Sequence, residues 1–143
     1  MADISVAPDV STLEIPTDVW TQPFWDATGA ERIVMPRCVA CGTFRWPPGP
    51  FCPQCSTQEV AWVDAGPGRI YSYTVIPARA SAEGGQPRAV VPALIEFPDA
   101  GGVRLIAAIV DTAISDIVVG APVRAGFSQA LNGKVPVFRI TTR

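Results

Sequence analysis

Four cysteines in two Cys-x-x-Cys pairs, Cys38/Cys41 and Cys52/Cys55, lie in the stretch "RCVACGTFRWPPGPFCPQC", and the 143-residue chain has no others. Ten residues separate the pairs. Each pair sets a tight turn that aims two sulfurs and nearby backbone N–H groups at one point. Two such knuckles complete a tetrahedral four-sulfur shell of the kind Zn²⁺ takes. Gly42, directly after the second cysteine, supplies the backbone freedom that the first knuckle wants. Ser56 stands at the equivalent place in the second knuckle, and Pro53 stiffens that turn. A redox dithiol and a disulfide pair are the competing readings, and iron in a rubredoxin-like shell competes with zinc. A closed thiolate shell leaves no open position for water or substrate. The spacing therefore predicts a structural metal in a ribbon too small to fold on a core of its own.

Little else in the chain carries chemistry. There is no histidine, which removes the commonest general base and every Ser–His or Cys–His nucleophile scheme. Glu96 and Asp99 fall near one strand end and Asp111 closes another; they read as solvated ends and turn caps. No phosphate-cradling glycine pattern occurs. The net charge is −2 and Lys134 is the single lysine, so the basic stripe of a general nucleic-acid binder is missing. No apolar run approaches the ~20 residues of a membrane-spanning helix. "MADISVAPDV" has neither the basic start nor the apolar core of a signal peptide, and the expectation is a cytoplasmic protein, where cysteines stay reduced.

With 48% apolar and 17% charged residues the composition is globular. Residues 1–22 lack periodicity and read as an arm, disordered or ordered by a partner. "TQPFWDATG" predicts a short helix, with Pro23 in its first turn and Gly29 at its end; residues 23–36 hold this helix and an extended lead-in. The ribbon takes residues 37–64. From residue 65 to 143 five strands follow: "GRIYSYTVIPA", "AVVPALIEF", "GVRLIAAIVD", "APVRAGFSQA" and "KVPVFRITT". "TAISDIVVG" is a helical or irregular link, and "LNG" a tight turn. The fold class is mainly β: a short N-terminal helix, a rubredoxin-like zinc ribbon, then a five-stranded OB-fold barrel, with a generic β-sandwich as the alternative. Several strands are apolar at successive positions. Such strands have one face on the barrel interior and the other covered by another element or subunit.

Candidate contact residues follow from residue type. Phe44, Trp46 and Phe51 sit in the ribbon beside "PPGP"; they read as its small core or as a docking surface. Phe24 and Trp25 give the helix an apolar side. Arg37 and Arg45 flank the metal, and Arg79 and Arg88 bracket the polar loop 78–89. These arginines read as surface charge or as forks for phosphate, including the phosphates of coenzyme A.

A helix beginning "PFWDA", then "RIVMPRCVACGTFRWPPGPFCPQC", "GRIYSYTVI", "VPALIEF" and "VGAPVRAGF" together resemble the small zinc-ribbon/OB-fold proteins that accompany thiolase-superfamily enzymes. The resemblance runs from about Pro23 to the C-terminus; Ser56, where glycine is common, departs from it. It implies a noncatalytic accessory subunit, paired with a thiolase-like chain in a heterotetramer. Such complexes cleave or form C–C bonds on acyl-CoA, as in benzoylsuccinyl-CoA thiolase or steroid side-chain retro-aldolases. Phe24, Trp25, Arg37, Arg45, Trp46, Arg79 and Arg88 would contact the partner or CoA, with CoA or acyl-CoA a shared ligand. Two other readings stand beside it: a nucleic-acid-binding ribbon/OB module, and a stand-alone acyl-CoA-binding protein.

Overall fold

A computed structural model describes residues 3–77 and 88–141. Arg79 and most of the polar loop lie outside the described residues. The strands are β1 (Ile4–Ser5), β2 (Val34–Cys38), β3 (Val60–Asp64), β4 (Gly68–Tyr73), β5 (Ile76–Pro77), β6 (Arg88–Phe97), β7 (Val103–Ile109), β8 (Pro122–Gln129) and β9 (Lys134–Ile140). The helix α1 spans Gln22–Gly29.

The five strands expected from sequence correspond to β4, β6, β7, β8 and β9. They close in the order β4-β6-β7-β9-β8 and back to β4, with β7 and β9 parallel and the other pairs antiparallel. This is a five-stranded Greek-key barrel of the OB type. The ladders are unequal. β6–β7 runs in register from Val91↔Ile109 to Phe97↔Val103, whereas β7–β9 meets only at Ala108↔Val137 and Ile109↔Phe138. Residues 103–107 of β7 thus face a seam that β9 does not close. The "TAISDIVVG" link contains a single 3₁₀ turn, Ile114–Asp116.

The barrel interior follows from alternation. On β6 the side chains of Ala89, Val91, Ala93, Ile95 and Phe97 are buried, and those between them are half-buried. Ile70, Ile109 and Phe138 complete a core in which each fully buried large side chain contributes ~1.5–3 kcal/mol. The sequence expectation gives the outer face a cover, from another element or another subunit. Within the described chain Ile106 is 75% exposed, and Tyr71 is exposed beside Arg104.

The arm is ordered on its own barrel, where sequence suggested disorder or ordering by a partner. Ile4–Ser5 pairs in parallel with Arg88–Ala89, and Ser5 N–H donates to the Thr112 carbonyl at 2.8 Å. Further along, Ile15 is buried, and its N–H and C=O are both met by the Asn132 amide at 2.7 and 2.9 Å. These contacts are hydrogen bonds to the arm's main chain, from a strand and from a distant side chain, which leave no hydrophobic periodicity to read.

The helix begins as expected, with Pro23 in its first turn. It ends at Gly29 as expected, but the left-handed residue that stops it lies further on. Arg32 N–H donates to Ala27 O, Glu31 N–H donates to Thr28 O, and Glu31 adopts φ 60°. That is a Schellman stop with a non-glycine residue in the left-handed position, two places beyond Gly29. Phe24, Ala27 and Thr28 form the buried face. The strand β3 had no counterpart in the sequence reading; it pairs with β2 from Val34↔Asp64 to Cys38↔Val60 and forms the stem of the ribbon.

Candidate metal centre

The stem ends at Cys38, and the chain turns through two knuckles built alike. In the first, Gly42 N–H donates to Cys38 O at 3.0 Å and Cys38 N–H to Thr43 O at 2.8 Å. In the second, Ser56 N–H donates to Cys52 O at 3.0 Å and Cys52 N–H to Thr57 O at 2.9 Å. Both turns need a left-handed residue after the second cysteine, and Gly42 and Ser56 have φ 79° and 66°. Glycine takes this conformation freely; serine takes it at a cost of ~1–2 kcal/mol.

The four sulfurs lie within 4.8 Å of one another. Cys38 Sγ is 3.6 Å from Cys55 Sγ, and Cys41 Sγ is 3.5 Å from Cys52 Sγ. A disulfide requires ~2.05 Å. Four sulfurs placed ~2.3 Å from one zinc ion would be separated by ~3.8 Å. The donor set and its spacing therefore fit a four-thiolate structural metal. Cys38 and Cys52 are buried and Cys41 and Cys55 exposed, so the shell is half sunk in the ribbon.

The surroundings favour thiolates at two positions. The Cys55 N–H, with help from Gln54 N–H, brings the Cys52 thiol down to about 6, and the Cys41 N–H lowers Cys38. At Cys55 the Thr57 hydroxyl pulls downward, but burial and the Cys38 and Cys41 thiols together outweigh it and raise this group. A bound cation removes that crowding by taking the charge. The Cys41 and Cys55 thiols donate to the hydroxyl oxygens of Thr43 and Thr57 at 3.2 Å, and the same hydroxyls would donate back to the metal-bound thiolates. Sequence reasoning missed this pair. The signal was present, since each threonine falls two residues after the second cysteine of its knuckle.

The candidate contact residues divide into three groups. Arg45 is only 5% exposed. Its guanidinium donates to the carbonyls of Gly49 at 2.7 Å, Thr57 at 2.8 Å and Gln58 at 3.3 Å. This corrects its reading as a phosphate or partner contact, because the side chain is buried and both terminal nitrogens hold the ribbon spacer to the second knuckle, while Nε is enclosed without a partner. Phe24 stands at the wall of a cleft. It is buried, with its ring 5.0 Å from Trp46 and 5.1 Å edge-on from Trp25. Trp25 and Trp46 are half-buried around it and line the same cleft, of about 790 Å³, between α1, the ribbon spacer and the open seam at β7. Arg37 is exposed and arches over the first knuckle, its Nε donating to Gly42 O at 3.3 Å. Arg88 is exposed elsewhere, where β6 begins beside the arm. The structure thus gathers Phe24, Trp25 and Trp46 into one site and leaves Arg37 and Arg88 apart.

Ribbon and barrel also meet directly. Phe44 rests against Gly101, where a Cβ would come within 3.1 Å of its ring. No helix among the described residues is long and apolar enough to cross a membrane.

A four-cysteine ribbon on a two-stranded stem, joined to a five-stranded OB barrel, defines a zinc-ribbon/OB-fold protein. Residues 25–61 match the model of the ChsH2 rubredoxin-like zinc ribbon domain, and residues 62–128 that of the ChsH2 C-terminal OB-fold domain. The chain belongs to this ChsH2 family. It is similar to a solved structure, the Ltp2-ChsH2(DUF35) aldolase, with 32% identity, a TM-score of 0.74, and coverage of 89% of this chain and 98% of that one. A DUF35-family protein of unknown function from Sulfolobus solfataricus shares the fold at 21% identity and a TM-score of 0.56. A probable enoyl-CoA hydratase alpha subunit of Thermomonospora curvata is 38% identical over 121 residues, and a DUF35 domain-containing scaffold protein of Methanocaldococcus jannaschii is 32% identical over 95. This chain spans 36% of the first and 65% of the second.

Proposed function

We propose that this chain is a noncatalytic accessory subunit of an acyl-CoA enzyme complex. It docks on a thiolase-superfamily catalytic chain that cleaves or forms a C–C bond, in a heterotetramer. The observation that carries this reading is the likeness of 89% of this chain to 98% of a chain from an aldolase named for two components. The curated relatives, a scaffold protein and an alpha subunit, agree with it. So does the chemistry. A closed thiolate shell offers no site for a reacting molecule, and the sequence carries no histidine. The metal, which we take to be zinc, is a staple.

Co-expression with the thiolase-superfamily chain of the native host tests the proposal. The expected result is a stable complex containing two copies of each chain, with acyl-CoA turnover well above that of either chain alone. Failure to co-purify, no gain in activity, or turnover by this chain in isolation would overturn it.

A second reading, in which this chain helps hold the acyl-CoA, is favoured by the apolar cleft beside Trp25 and Trp46. Its volume of about 790 Å³ falls in the ~300–1,000 Å³ range of small-molecule sites. Quenching of tryptophan emission by an acyl-CoA in the complex, lost in Trp46→Ala, would support that role. Unchanged emission at saturating acyl-CoA would exclude it.

A further inference from the structure

The outer face of the barrel over β4, β6 and β7 is built from two rows. Ile106 stands opposite Leu94, which stands opposite Ser72; beside them Arg104, Glu96 and Arg69 stand opposite one another in the same order. The register slips between Ile70 and Ser72, which makes Tyr71 the extra residue of a bulge. Bulges recur where a strand must re-aim a side chain. Tyr71 meets Arg104, whose guanidinium carbon lies 3.6 Å from the centre of its ring.

The charges on this face do not cancel. Arg69 donates to Glu96 Oε1 from Nε at 2.9 Å and from Nη2 at 2.6 Å, while Arg104 Nε is 3.6 Å from Glu96 Oε2. Two cations share one carboxylate, an excess of one positive charge on a chain whose net charge is −2. The Arg69 hydrogen bonds, ahead of other causes, hold the Glu96 carboxyl below its ordinary range, so it stays charged near neutrality. Arg104 is fixed between an aromatic ring and a carboxylate, yet about half its side chain is open to solvent. Its rotamer entropy is already spent, which lowers the cost of using it in a contact.

Beside this cation Ile106 is 75% exposed and Tyr71 43%. Tyrosine and arginine around an apolar centre are the composition of a binding hot spot. A second copy of this chain fits poorly, because a two-fold contact would set the excess cations against each other. A nucleic acid fits poorly as well, because one unmatched cation is no track for successive phosphates.

We propose that this face is the docking surface for the catalytic chain, and that the partner sets there an apolar patch bearing an unpaired carboxylate that takes the free edge of Arg104. The inference rests on the accessory-subunit reading and names its interface.

The test measures the dissociation constant of the full chain for the thiolase-superfamily chain of its host at low and high salt. Ile106→Glu is expected to weaken binding about thirtyfold or more. Arg104→Gln should weaken it about tenfold at low salt and flatten its salt dependence. Leu131→Glu, equally bold but in the turn between β8 and β9, should bind like the parent. Ile106→Ser covers the case in which Ile106→Glu unfolds. Parent-strength binding by both Ile106→Ser and Arg104→Gln, or an equal loss in Leu131→Glu, overturns the assignment while leaving the accessory role standing. A parent chain that binds no catalytic chain overturns both. A parent dimer dissolved by Ile106→Ser, or single-stranded DNA binding lost in Arg104→Gln, also overturns it.

Discussion

The ribbon and the barrel solve the folding problem by different means. Between Val39 and Val63 only Arg45 and Cys52 are buried, so the ribbon has almost no apolar interior. The barrel buries every second residue of β6, and Phe97 and Phe138 pack with ring centres 6.2 Å apart. One region depends on a ligand and on a buried guanidinium, the other on area removed from water. A ligand-held ribbon can keep its aromatic and proline residues on a surface, because it does not need them inside. That is how Trp46, Pro47 and Pro48 come to wall a cleft.

The largest expected effect breaks the ribbon alone. Cys52→Ser removes one of four thiolates; structural zinc sites of this kind are worth ~10–16 kcal/mol in small peptides. Metal analysis should fall from one ion per chain to none. Strand ellipticity from the barrel should persist. Phe97→Ala does the reverse. It should cost the barrel ~3–5 kcal/mol in thermal or denaturant unfolding while the ribbon keeps its metal at temperatures below the new transition.

Smaller changes sharpen the contrast. Arg45→Met takes the guanidinium from the Gly49 and Gln58 carbonyls, and from the Thr57 carbonyl, which keeps the Cys52 N–H, and should cost the ribbon ~2 kcal/mol. It should be read as faster metal loss to a chelator, with little change in the barrel's transition. Ser56→Gly relieves the left-handed strain of the second knuckle and should gain ~0.5–1 kcal/mol, seen as slower metal loss. In the same range, Glu31→Gly at the helix stop should raise the melting temperature without touching metal retention.

How much of this was legible in the sequence follows from the same contrast. The cysteine spacing and the runs of β-branched and apolar residues between turn signals encode short-range constraints, and both were readable. The arm was not, because Ile15 is held by the side chain of Asn132, more than a hundred residues away in sequence. The role of Arg45 was hidden for a related reason. A charged residue next to a metal site reads as surface until the carbonyls that surround it are known. Phe24 was recognised as apolar, but only the meeting of α1 with Trp46 shows that it faces inward. The strand β3 was overlooked because the ribbon was read through its cysteines and not through its stem.

Hydrogen exchange with and without a metal chelator tests most directly whether the metal holds the ribbon's surface while the barrel stands by itself. The account predicts that amides from Cys38 to Val60 lose protection when the metal is removed, while those of Val91–Phe97 and Val103–Ile109 keep theirs. Simultaneous loss in both regions, or full retention in the ribbon, would contradict it.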